Sequence, residues 1–94
     1  MYFVANWKMY GVKNSLNTLD KVIKFSNSKE IKKGRIIYCP PYTLLSSFYK
    51  KFQNCLIDIG AQNCHEGSDY GAHTGFVNSK MIKNIGANYV IIGH

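Results

Sequence analysis

The stretch Asn88–His94, NYVIIGH, decides the fold. Its central residues Tyr89, Val90, Ile91 and Ile92 show no polar alternation. A short unbroken apolar run reads as a strand covered on both faces, which is the environment of a parallel sheet rather than of a half-solvated hairpin. Gly93 and His94 follow at once, so a titratable side chain stands at the carboxyl end of that strand.

Three further short apolar runs precede it: Tyr2–Ala5, Ile36–Cys39 and Leu56–Ile59. Between the first two, Leu16, Leu19, Val22 and Ile23 recur at helical spacing, with Asn14 or Ser15 placed to cap the helix. Leu44, Leu45, Phe48 and Phe52 form a second stripe, entered after Pro40-Pro41 with Thr43 as its expected N-cap. Met81, Ile82 and Ile85 form a third, closed by Gly86. The expected order is β-α-β-α-β-α-β. Parallel neighbours need a crossover, and a helix is the usual one, so the alternation predicts a parallel α/β sheet. Four strands and three helices suit a small open sheet or part of a (β/α)₈ barrel, and the element count does not choose between them.

Composition bounds the rest. Ninety-four residues allow at most one compact domain, and 46% hydrophobic content with 14% aromatics suffices for a packed core. The net charge of +7 comes from twelve basic residues, all but Arg35 lysines, against five acids. The lysines are scattered along the candidate helices as a solvated face. A nucleic-acid footprint would instead cluster arginine with aromatics, so no nucleic-acid partner is expected. A basic field also suits a small anionic substrate. No run approaches the ~20 apolar residues of a membrane span, and the opening Tyr2–Ala5 run has no long apolar h-region, so no signal peptide is expected in these residues. Cys39, Cys55 and Cys64 are odd in number and irregular in spacing. They form no disulfide framework, which points to a reducing, cytoplasmic setting. Cys64-His65 with the other cysteines lacks paired metal-ligand spacing, so no structural zinc site is expected.

In parallel α/β folds ligands lie beyond the carboxyl ends of the strands. Those positions here are Asn6-Trp7-Lys8, Cys39-Pro40-Pro41, Gln62-Asn63 and Gly93-His94. The acids fall elsewhere: Asp58 within a strand, Glu66 and Asp69 in the long stretch Gly60–Asn78, Asp20 on a helix, and Glu30 ahead of the second strand. Proton abstraction beside a carbonyl needs a positioned base, and no carboxylate occupies a strand's carboxyl end.

The segments YFVANWKM, CPP, GAQNC, GAHTG and YVIIGH, in this order, resemble the N-terminal part of the triosephosphate isomerase family. The resemblance runs along the whole chain. It implies that residues 1–94 are the N-terminal half of a (β/α)₈ TIM barrel, with its first four strands and three helices and without its C-terminal half. It also implies interconversion of dihydroxyacetone phosphate and glyceraldehyde 3-phosphate through an enediol(ate), in glycolysis and gluconeogenesis, by a cofactor-free homodimer.

Residue by residue, Lys8 matches the lysine that attracts the anionic triose phosphate and stabilises enediolate charge. Asn6 matches an asparagine lining the substrate pocket. His94 matches the neutral electrophile that polarises the substrate carbonyl. Thr74, within Gly71–Gly75, matches the threonine of the dimer loop. Phe76 replaces the glutamate common there, which puts the usual interface ion pair in doubt, and Tyr10 replaces a frequent asparagine. The family's base glutamate, lid and phosphate-binding glycine loops have no counterpart in these residues, so the 94 residues alone are expected to be inactive. A different reading of the same residues is a small open α/β module that binds phosphorylated ligands without chemistry. A scaffold that uses the Gly60–Asn78 loop is a third.

Overall fold

A computed structural model describes residues 1–28, 34–67 and 69–94. Glu30 lies outside the described residues. Strand β1 (Tyr2–Asn6) leads to a 3-10 helix (Lys13–Leu19) that runs directly into α1 (Asp20–Ser26). Then follow β2 (Arg35–Cys39), α2 (Tyr42–Lys51), β3 (Ile57–Ala61), α3 (Ser79–Ile85) and β4 (Tyr89–Val90). All pairings are parallel, and the sheet order is β1-β2-β3-β4.

The sheet is curled. In a flat sheet β1 and β4 would stand about 14 Å apart, three strand spacings. Instead the rings of Tyr2 and Tyr89 meet edge to face with centroids 6.3 Å apart. Four parallel strands curled in this way, with helices between them, form half of a barrel wall.

Strand alternation sorts the residues. Ile36, Ile57, Ile59 and Ala61 join Leu19, Leu44, Leu45, Phe48, Phe52, Ile82 and Ala87 in one buried cluster between sheet and helices. Phe48 is its centre, packed edge to face on Trp7 at 4.9 Å and on Phe52 at 5.6 Å. Residues of opposite parity face the hollow of the curl. There Arg35 Nε donates to Asp58 Oδ2 at 2.9 Å, so the acid within β3 is spent on a structural pair.

Several expected boundaries shift, each for a physical reason. The first helix begins as a 3-10 segment. Val12 holds the cap position, and Ser15 Oγ accepts from the Val12 N–H at 3.0 Å instead of capping from its own position. In α2 the cap position belongs to Pro41, not Thr43, and the Leu44 N–H closes the first turn on the Pro41 carbonyl at 2.9 Å. β3 runs to Ala61 and leaves Leu56 outside and exposed. β4 ends at Val90, and the expectation of burial on both faces fails: Val90 is exposed and Ile92, beyond the strand, is 80% exposed, with the apolar side chains reaching past the cluster packed between sheet and helices. The close of α3 follows expectation, with Gly86 at φ 113° in the left-handed region.

Candidate active site

β1 delivers its last residue, Asn6, to the carboxyl rim, and the chain then turns sharply. Asn6 Oδ1 accepts from the backbone N–H of Lys8 at 2.9 Å, the side chain imitating a turn carbonyl. Lys8 has φ 56°, a left-handed backbone that a non-glycine residue adopts at a cost of roughly 1–2 kcal/mol. Such strain persists only where surroundings over-determine it, and it gathers at functional sites.

The surroundings here are polar and specific. Gln62 Nε2, just past β3, donates to the Lys8 carbonyl at 2.8 Å and to the Cys39 carbonyl at 2.9 Å. The same Cys39 carbonyl accepts from the Trp7 N–H at 3.0 Å. The ends of β1, β2 and β3 are thus tied together beneath Lys8. Beside them the Tyr42 hydroxyl, at the start of α2, is hydrogen-bonded to Asn63, within reach of both its backbone and side-chain carbonyl oxygens. Burial, and next the neighbouring Cys64, push the Tyr42 phenol above its ordinary range and keep it a donor. Burial also raises the Cys39 thiol, against a smaller opposing effect of a hydrogen bond from the Gly60 backbone.

Above this brace lies an open cleft of about 560 Å³, into whose lining the strand ends bring Asn6, Lys8, Gln62, Asn63 and His94. Three amides, an ammonium and an imidazole converge there, a donor-rich set suited to a small anionic, oxygen-bearing ligand. Among the described residues no Asp or Glu lines the cleft. Asp20, Asp58 and Asp69 are paired with Lys51, Arg35 and Lys80, and Glu66 lines a different cleft. Among the described residues no group of three or more His, Cys, Asp or Glu could hold a metal ion. No helix among them is long and apolar enough to cross a membrane.

Comparison with known proteins shows the family and the fold. The family model of triosephosphate isomerase matches residues 1–94. The chain belongs to the triosephosphate isomerase family. It is 40% identical over 91 residues to a triosephosphate isomerase of Wolbachia pipientis wMel, covering 97% of this chain and 36% of that protein. It is 37% identical over 90 residues to one from Bradyrhizobium diazoefficiens, covering 96% and 35% respectively. The crystal structure of a triosephosphate isomerase from Bartonella henselae superposes with a TM-score of 0.86 at 36% identity, over 99% of this chain and 37% of that one. The chain therefore spans little more than a third of the length of these relatives.

Within this chain, Thr74 sits apart from the cleft, exposed on the β3–α3 loop. The base of the loop is closed by the His65 N–H donating to the Val77 carbonyl at 2.7 Å, and by Asn78, whose Nδ2 donates to the Asp69 carbonyl at 3.0 Å. Phe76 is exposed and packs on His65 rather than entering the core. Tyr10 is exposed too. Sequence reasoning placed Gln62 at a strand end but gave it no role, and it missed Tyr42. Neither could be found by periodicity, because their partners are 54 and 21 residues away.

Proposed function

We propose that this chain supplies the substrate-attracting and electrophilic part of a triosephosphate isomerase site. The single observation that carries the reading is the convergence of Asn6, Lys8 and His94 on one cleft at the carboxyl rim of a curled parallel sheet. In this reading the reaction interconverts dihydroxyacetone phosphate and D-glyceraldehyde 3-phosphate, a step of glycolysis and gluconeogenesis in the cytoplasm. The Lys8 ammonium attracts the phosphorylated triose and offsets charge developing on the enediolate oxygen. His94 donates a hydrogen bond to the substrate carbonyl and carries protons between its two oxygens. Asn6 acts twice, as a lining amide and as the acceptor that sets the Lys8 turn. Thr74 reaches a second subunit in a homodimer.

Abstraction of the carbon-bound proton needs a carboxylate, and none of the described residues places one in the cleft. The 94 residues by themselves therefore bind triose phosphate without turning it over. The alternative, a module that binds phosphorylated ligands and performs no chemistry, draws on the same lack of a base.

The test is isomerase turnover by the complete product of the gene, alongside a polypeptide of these 94 residues. A gene product longer than this chain should isomerise glyceraldehyde 3-phosphate, and its Lys8→Ala variant should lose at least about a hundredfold in kcat/KM. The 94-residue polypeptide should show none. A longer gene product that folds and binds triose phosphate but never isomerises it would overturn this reading in favour of the binding module.

A further inference from the structure

The β3–α3 loop holds an arrangement that neither substrate attraction nor electrophilic catalysis uses. The rings of His65 and His73 lie against each other, centroids 4.6 Å apart and planes 32° from parallel. Phe76 stands edge-on to both, at 5.2 Å and 6.4 Å. His65 Nδ1 accepts from the Gly67 N–H at 3.0 Å. A neutral ring that accepts at Nδ1 carries its proton on Nε2. His65 also pairs with Asn78 as an isolated parallel bridge, so the residue whose ring accepts from Gly67 is the one that closes the base of the loop.

A second proton on His65 would go to Nδ1. It would turn the acceptor into a donor facing the Gly67 donor, and that hydrogen bond would be lost. With His73 charged as well, two cations would stand ring to ring. The groups around the pair come from several elements. Cys64, Glu66, Asp69 and Tyr70 belong to the loop, Tyr42 to α2, and Met81 to α3. Two of these are anions that could offset the repulsion. Asp69 is already held by Lys80 of α3, and Glu66 lines the cleft that His73 does not line.

We propose that the His65–His73 pair is a proton-operated latch on the β3–α3 loop, closed when both rings are neutral and released when they gain protons. The latch goes beyond the isomerase reading and stands whether or not the cleft turns substrate over. Since Thr74 rides on the same loop, release also frees the segment around it.

The test is amide hydrogen exchange in the complete gene product, corrected for intrinsic rates, from about pH 8 to about pH 5, the interval in which imidazoles gain protons. Protection of the Gly67 and His65 amides should fall roughly five- to tenfold, as for loss of one hydrogen bond, while α2 keeps its protection. His65→Asn, whose side-chain oxygen can accept from Gly67 but does not titrate in this range, should hold its protection throughout. Nitrogen NMR of the wild-type rings near pH 8 should find the His65 proton on Nε2. Unchanged loop protection in the wild type, an equal fall in His65→Asn, or a proton on Nδ1 would each overturn the latch.

Discussion

The side-chain oxygen of Asn6 holds the backbone N–H of Lys8 at 2.9 Å, and Lys8 sits beyond it in a left-handed backbone. Removing the acceptor in Asn6→Ala should destabilise the fold by about 1 kcal/mol. Lys8→Gly should behave in the opposite way. Relief of the strain offsets the extra freedom glycine brings to the unfolded chain, leaving stability unchanged or raised by up to about 1 kcal/mol, while anion binding is lost. Urea denaturation together with titration of glycerol 3-phosphate separates the two effects. A Lys8→Gly protein that loses stability and retains binding would contradict the assignment.

Gly86 ends α3 at φ 113°, and a methyl group there would run into the Tyr49 ring. Gly86→Ala should therefore cost at least about 2 kcal/mol, combining backbone strain with the clash. Adding Tyr49→Ala should recover the steric part, so the two changes are not additive in a double-mutant cycle.

Asn78 is buried and serves two partners: Oδ1 accepts from the Met81 N–H at 3.0 Å to cap α3, and Nδ2 donates to the Asp69 carbonyl. Asn78→Ala should cost about 1–2 kcal/mol. Asn78→Asp keeps the cap but loses the donor, so its loss should fall between those of wild type and alanine. Thermal unfolding of the three proteins orders them.

Burial raises the thiol of Cys39 and the phenols of Tyr38 and Tyr42. For an acid whose folded value lies above its unfolded one, the native state holds the proton more tightly. The stabilisation is complete below the unfolded value and is lost as pH climbs through the folded one. Stability should thus hold through neutrality and decline above about pH 8.5, where thiols and then phenols ionise in the unfolded chain. Alkylation followed by mass spectrometry should modify Cys55 and Cys64 well before the buried Cys39.

Much of this architecture was legible because burial leaves a periodic trace. The stripes through Phe48 and Ile82 located α2 and α3, and the unbroken apolar runs located four parallel strands. Strand-end positions then marked Asn6-Trp7-Lys8, Cys39-Pro40-Pro41, Gln62-Asn63 and Gly93-His94, and only the family resemblance picked Asn6, Lys8 and His94 from among them. The start of the first helix was less legible. There Ser15 and Thr18 make local hydroxyl bonds, to the Val12 N–H and from Thr18 Oγ1 to the Ser15 carbonyl, that compete with α-helical pairing and favour the tighter 3-10 turn. The end of β4 was overestimated because apolar character carries past Val90, although only the Ile91 N–H continues the ladder, to the Ala61 carbonyl at 3.0 Å. Gln62 and Tyr42 escaped notice because a polar contact between distant segments imposes no spacing rule on the residues between them.

The single amide of Gln62, shared between the Lys8 and Cys39 carbonyls, has a thermodynamic consequence for any ligand that enters the cleft. The lysine backbone is already hydrogen-bonded in place before the ligand arrives, so association has less of it to order, and more of each contact's strength appears as affinity. The same linkage makes the rim a sensor of its own scaffold. A change that lets β1 slip against β3 weakens anion capture at temperatures where the helices are still fully formed.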